Sequence, residues 1–196
     1  AIALNAENAG LPKDSWKNRA RRTATEDYIT RIVAEAIPRI FRGQRGSGKS
    51  GRVFIDKPGQ EVLERTSCLI DEGSLEVRLE VGLPAAGRRV LGREAAAILC
   101  DELPELVRQT LMQGTHDEAA IQEHANVVED QRWLRSHLRE EGLVAFIAEG
   151  SILPRQSGVD DRPKTNDAVP FGPIPDSLAI EVTLPYRGTV RGWQGQ

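Results

Sequence analysis

A chain of 196 residues, 39% hydrophobic and 28% charged, has the make-up of an ordinary globular protein and can bury a substantial core. Its net charge of −3 excludes a uniformly basic nucleic-acid binder, and no apolar run approaches the roughly 20 residues that span a bilayer. The first residues lack a basic-then-apolar leader pattern, so a cytoplasmic chain with no membrane partner is expected.

The charges are unevenly spread. Arg19, Arg21, Arg22, Arg39, Arg42, Arg45, Lys49 and Arg52 crowd one stretch, whereas residues 117–141 are rich in acids. Such asymmetry leaves room for a local anion site on an acidic protein.

Residues 1–22 show no clear periodicity. Thr23 with Glu26 forms a capping-box pair and predicts a helix start there. Tyr28, Ile29, Ile32, Val33, Ala36 and Ile37 then make one apolar stripe, expected to pack on a sheet.

Residues 43–50 match the phosphate-loop pattern GxxxxGK[ST] letter for letter. A nucleotide-hydrolysing loop of that kind follows a strand and opens a helix, so that N–H groups and the helix dipole converge on phosphate. Here a helix precedes the loop and a short strand at 51–56 follows it. That reversed order favours an anion-binding glycine loop or a plain flexible turn over a catalytic site. Gly46, Gly48 and Gly51 can adopt positive φ and expose successive N–H groups as a nest. Ser47 and Ser50 add hydroxyls, and Lys49 adds a mobile charge, a set that suits phosphate without hydrolysis.

Residues 62–82 predict a hairpin, with one strand at 66–71, a turn at Glu72-Gly73, and Leu75, Val77, Leu79 and Val81 alternating with charged residues. Residues 82–87 form a turn followed by Arg88 and Arg89, and Arg93 falls in the first turn of the next helix. Cations at a helix N-terminus are unfavourable unless an anion sits there. Arg88, Arg89 and Arg93 are therefore expected to share one anion cleft with Gly46–Gly51, a salt-bridge cluster with Glu80 or nearby acids being the alternative.

Helices are predicted at 93–101, at 104–113 with Pro104 in the permitted first turn, and over 117–141 with a break near Glu129-Asp130. The apolar run 143–148 predicts a central strand buried on both faces. Residues 158–175 form a loop, and Leu178, Ile180, Val182 and Leu184 alternate as a last strand. Mixed but not alternating elements predict an α+β fold, with a mixed sheet, a β-hairpin and several helices in a single accessory domain.

Cys68 and Cys100 are expected to be buried thiols. The spacing of His116, His124 and His137 matches no metal motif, so surface helix histidines are expected. No nucleophile–base pair is evident, and no catalytic or metal-binding residue is assigned.

Several stretches resemble the N-terminal region of the predicted ATPases of the ABC class, running in that family's order across nearly the whole chain. They are residues 18–28, Arg45–Gly51, 58–66, 82–93, 142–155 and 187–192. The resemblance implies an accessory domain over residues 1–176, then a strand at 177–196 leading toward an ATP-binding core. The family's own phosphate loop would follow the segment resembling 178–193, so the chain is expected to be a fragment with no ATPase activity by itself. ATP with Mg is then the cofactor of the parent protein and none is required by this chain. The downstream ATPase core is the implied partner; the alternatives are a nucleic-acid-binding module of the same ATPase and a purely structural oligomerisation domain that docks on a second copy of the chain.

Overall fold

The computed structural model describes residues 1–195. Ala1–Ala125 form one compact unit and a second begins at Asn126. The fold is α+β. The sheet expected to be mixed is instead several small sheets whose ladders are all antiparallel among the described residues. Parallel pairing is confined to a single bridge between Gly46 and Ala85.

The first unit opens with β1 (Ile2–Asn5) and a short helix α1 (Ala6–Ala9). The long helix α2 (Arg19–Ile40) begins four residues before Thr23, because Asn18 is its cap and accepts from the Arg21 amide at 3.0 Å. The expected Thr23–Glu26 capping box does not form. Thr23 donates its hydroxyl back to the Arg19 carbonyl, and Glu26 accepts from the Ile70 amide at 2.9 Å, tying α2 to a strand.

Residues 1–22, aperiodic as sequence, thus contain a strand, a helix turn and a cap. Ile29, Val33, Ala36 and Ile37 are buried with Cys68, Ile70, Leu75 and Val77 in the main core. Tyr28 stays half-buried at the edge of the stripe.

Strands β3 (Cys68–Asp71) and β4 (Ser74–Val77) form the predicted hairpin, with Gly73 at φ 102° in its turn. β1 adds to the other side of β4, giving the order β1-β4-β3. The second strand ends at Val77 rather than Val81. Glu80–Val81 (β5) instead pairs with Val53–Phe54 (β2) in a separate two-stranded sheet. Strand β6 (Ala85–Ala86) pairs with β7 (Arg89–Val90) around Gly87-Arg88.

The two helices expected at 93–101 and 104–113 are one helical run. It comprises α3 (Gly92–Ala96), a π turn over Ala97–Glu102 and α4 (Leu103–Thr110). Pro104 lacks an N–H and its ring crowds the carbonyl four residues back. The widened turn ahead of it, in which the Leu103 amide reaches the Ile98 carbonyl, accommodates both effects without a break. Helix α5 (Glu118–His137) likewise runs through Glu129-Asp130 unbroken.

In the second unit β8 (Ala145–Ala148), β9 (Ala179–Leu184) and β10 (Gly188–Gly195) form a sheet in the order β8-β10-β9. The run 143–148 is therefore an edge strand, not a central one; Val144 is 75% exposed and Ile147 39%. The centre belongs to β10, which no periodicity announced. At Gly192 a Cβ would fall 2.3 Å from the Phe146 ring, so that close crossing requires glycine.

Cys68 is buried as expected, and burial pushes its thiol far up. Cys100 is exposed, contrary to expectation, because the π turn carries it to the outer face. No helix of the described residues is long and apolar enough to cross a membrane.

Candidate functional site

The glycine loop lies between the end of α2 and β2, so helix–loop–strand is the observed order. Gly43, Gly46, Gly48 and Gly51 all have positive φ, at 82°, 115°, 62° and 74°. Two of these glycines are required by close approach. A Cβ at Gly46 would lie 2.1 Å from the Ala85 carbonyl oxygen, and one at Gly51 would lie 2.6 Å from the Arg45 nitrogen.

The loop is anchored by Arg45, whose side chain is only 7% exposed. Its guanidinium pairs with Glu102 and lies 3.5 Å from Glu94 Oε2. Both acids sit on the helical run 92–110, far away in sequence, so nothing local in the sequence marks this anchor. Arg45 is thereby removed from any ligand.

The backbone of the loop is laced to residues 82–85. Ser47 N–H donates to the Ala85 carbonyl at 3.0 Å, Gly51 N–H to Gly82 at 2.6 Å, and Gly82 N–H back to Arg52 at 2.8 Å. Ser50 N–H is taken by the Ser47 carbonyl and Arg45 N–H by Ser50. Half of the nest read from Gly46, Ser47, Gly48, Lys49, Ser50 and Gly51 is therefore engaged by the chain's own carbonyls. What remains for an anion is the amides of Gly46, Gly48 and Lys49, the Ser50 hydroxyl and the exposed Lys49 side chain.

This arrangement does not fit a magnesium–triphosphate cradle. That chemistry needs consecutive N–H groups pointing inward at a helix N-terminus. Here three of the amides face carbonyls and the chain leads into a strand.

Arg88 sits at the β6–β7 turn, Arg89 in β7 and Arg93 in the first turn of α3. The Leu91 amide closes the hairpin base on the Pro84 carbonyl at 2.8 Å. All three arginines are exposed, and none pairs with Glu80 or any other acid among the described residues. The structure thus brings the backbone of the glycine loop against the strand that carries this arginine hairpin.

Two of the three histidines, His116 and His124, diverge from the expectation of surface helix positions. His124 Nε2 lies 3.1 Å from Asp27 Oδ2, and Arg31 holds the same carboxylate at 2.7 Å. Burial alone would raise the Asp27 pKa, but the bonds from His124 and Arg31 outweigh it and hold the carboxyl below its ordinary value. His116 precedes α5 rather than lying in it, and burial lowers its pKa. His137 stacks on Trp133 with ring centroids 4.0 Å apart.

In the second unit, Asp130 is 2% exposed and accepts from the amides of Tyr186 and Arg187 at 2.9 and 3.0 Å. It therefore closes the β9–β10 turn, a role the sequence did not signal.

Residues 1–114 match the family described as ATPase of the ABC class N-terminal, and residues 117–194 match the P-loop domain of the ABC ATPases. The first match spans more than half of the chain, and the chain belongs to the ABC-class ATPases. No curated protein matches it. Residues 117–194 contain no GxxxxGK[ST] sequence of their own, so the only literal phosphate-loop match is the one at Gly43–Ser50.

Proposed function

We propose that this chain supplies an accessory region of an ABC-class ATPase, in which the glycine loop Gly46–Gly51 holds an anion and couples it to the nucleotide state of the ATPase core. ATP and Mg belong, in this reading, to that core and not to the loop. The observation that supports it most is the combination of rigid anchoring and unengaged donors. Arg45 fixes the loop to the helical run, while the amides of Gly48 and Lys49 and the Lys49 ammonium face no described acceptor. Arg88 and Arg89 add positive charge on the adjoining hairpin, and Arg93 adds it at the start of α3.

The test is a titration of the chain with inorganic phosphate, followed by NMR, together with an ATPase assay. Saturable phosphate binding that is lost in Lys49→Ala, with no ATP turnover above background, is expected. Turnover abolished by Lys49→Ala would restore the loop as a catalytic site and overturn the reading.

The three unpaired arginines also favour a second reading, in which this hairpin and the start of α3 hold nucleic acid for the ATPase. Binding would then fall steeply with salt, as phosphate contacts release counterions. An RNA or DNA titration indifferent to ionic strength would remove that reading.

A further inference from the structure

The last turn of α2 and strand β2 enclose a pocket of about 420 Å³. Ile37, Phe41, Val53 and Phe54 form its apolar walls, and Lys49 and Arg52 line it beside them. Ile37, Phe41 and Val53 are less than a tenth exposed, so the floor is part of the fixed core. Phe54 differs, leaving 44% of its surface in solvent, as strand alternation places it on the face opposite its buried neighbours Val53 and Ile55. A large exposed aromatic ring among the lining residues of an apolar pocket is a ready surface for stacking.

The two cations are equally unaccommodated. Lys49 and Arg52 are exposed, and neither pairs with an acid among the described residues, although the chain carries 29 acids against 26 lysines and arginines. Two like charges beside a low-dielectric wall repel, and one anion between them reverses the sign of that interaction. A concave, mostly apolar site of roughly 300–1,000 Å³ with a few convergent polar groups is the usual form of a small-molecule site.

We propose that this pocket binds a small amphipathic anion, a molecule with one flat apolar body and one negatively charged group. The body stacks on Phe54 over Ile37, Phe41 and Val53, and the charge meets Lys49 and Arg52. The proposal shares Lys49 with the anion-loop reading, which it deepens, but it does not need the loop amides.

A matched pair of fluorescent probes tests it, anilinonaphthalene sulfonate and its uncharged parent phenylnaphthylamine. The sulfonate should saturate one site and bind at least about tenfold more tightly than the neutral probe, a preference set by the charge alone. Lys49→Met combined with Arg52→Met should erase the preference while leaving Tm unchanged. Phe54→Ser should weaken both probes together. Equal affinity of the two probes, a preference that survives the double substitution, or indifference to Phe54→Ser would overturn the proposal.

Competition then separates the sources. Displacement by AMP assigns a base-plus-phosphate ligand, displacement by naphthoate alone assigns an aromatic acid, and displacement by neither counts against the pocket. Inorganic phosphate distinguishes the two readings. Phosphate binding without sulfonate preference leaves the loop and removes the pocket, and sulfonate preference without phosphate binding does the reverse.

Discussion

Two turns in this molecule deal with anions in opposite ways. The loop Gly46–Gly51 has the letters of a phosphate nest, yet the amides of Ser47, Ser50 and Gly51 are bonded to carbonyls of the chain itself. The turn between β9 and β10 has no such letters, yet two successive amides, of Tyr186 and Arg187, converge on the Asp130 carboxylate. A nest is defined by where N–H groups point, and glycine spacing permits that geometry without imposing it. The anchors are reversed as well. In the loop, a buried cation of the turn holds helix carboxylates; at the β9–β10 turn, a buried carboxylate of a helix holds the turn.

The largest effect that could break this comparison is at Arg45. Arg45→Ala leaves the largely buried Glu102 with only the exposed Arg42, 3.9 Å away, as a counter-charge, and should cost about 3 kcal/mol in urea unfolding. Asp130→Ala leaves two amides unsatisfied in a buried setting and should cost about 1–3 kcal/mol, with Asp130→Asn intermediate because one acceptor survives. An Asp130→Ala cost above that of Arg45→Ala would reverse the ranking of the two anchors.

A smaller effect is expected from acid. The folded pKa of Asp27 lies below its ordinary 3.8, so the unfolded chain binds more protons there at low pH. The stability from its pairing with His124 and Arg31 is fully present above about pH 4–5 and is lost as pH falls through the folded value. Urea midpoints measured from neutral pH downward should show an acid limb that Asp27→Asn flattens. The smallest effect is at Lys49, where alanine should change stability by less than about 0.5 kcal/mol, since the side chain is exposed and unpaired. A larger loss would mean that the loop depends on Lys49 as well as on Arg45.

What the sequence made legible is what rests on local pattern. The stripe Ile29–Ile37, the hairpin around Gly73 and the helix–loop–strand order at Gly43–Ser50 each follow from spacing within a few residues. What stayed hidden depends on distant partners. Asn18 and Thr23 are both acceptable caps by residue type, and Glu26 was drawn away by Ile70, 44 residues on. The run 143–148 looked central because apolar residues report burial propensity and not the number of ladder neighbours. Its partner β10 contains Gly188, Gly192 and Gly195, which mask any alternation. At the candidate site, the glycines were legible, whereas the carbonyls of Gly82 and Ala85 that take the Gly51 and Ser47 amides could not be read from the loop alone.

The exposure of Cys100 on the π turn has a practical consequence. With Cys68 sealed in the core, a maleimide dye should attach to the native chain once, at Cys100, until denaturant opens the second thiol. Such a label would sit two residues from Glu102, the partner of Arg45. Its emission can therefore report whether the glycine loop is latched to the helical run, without any engineered substitution.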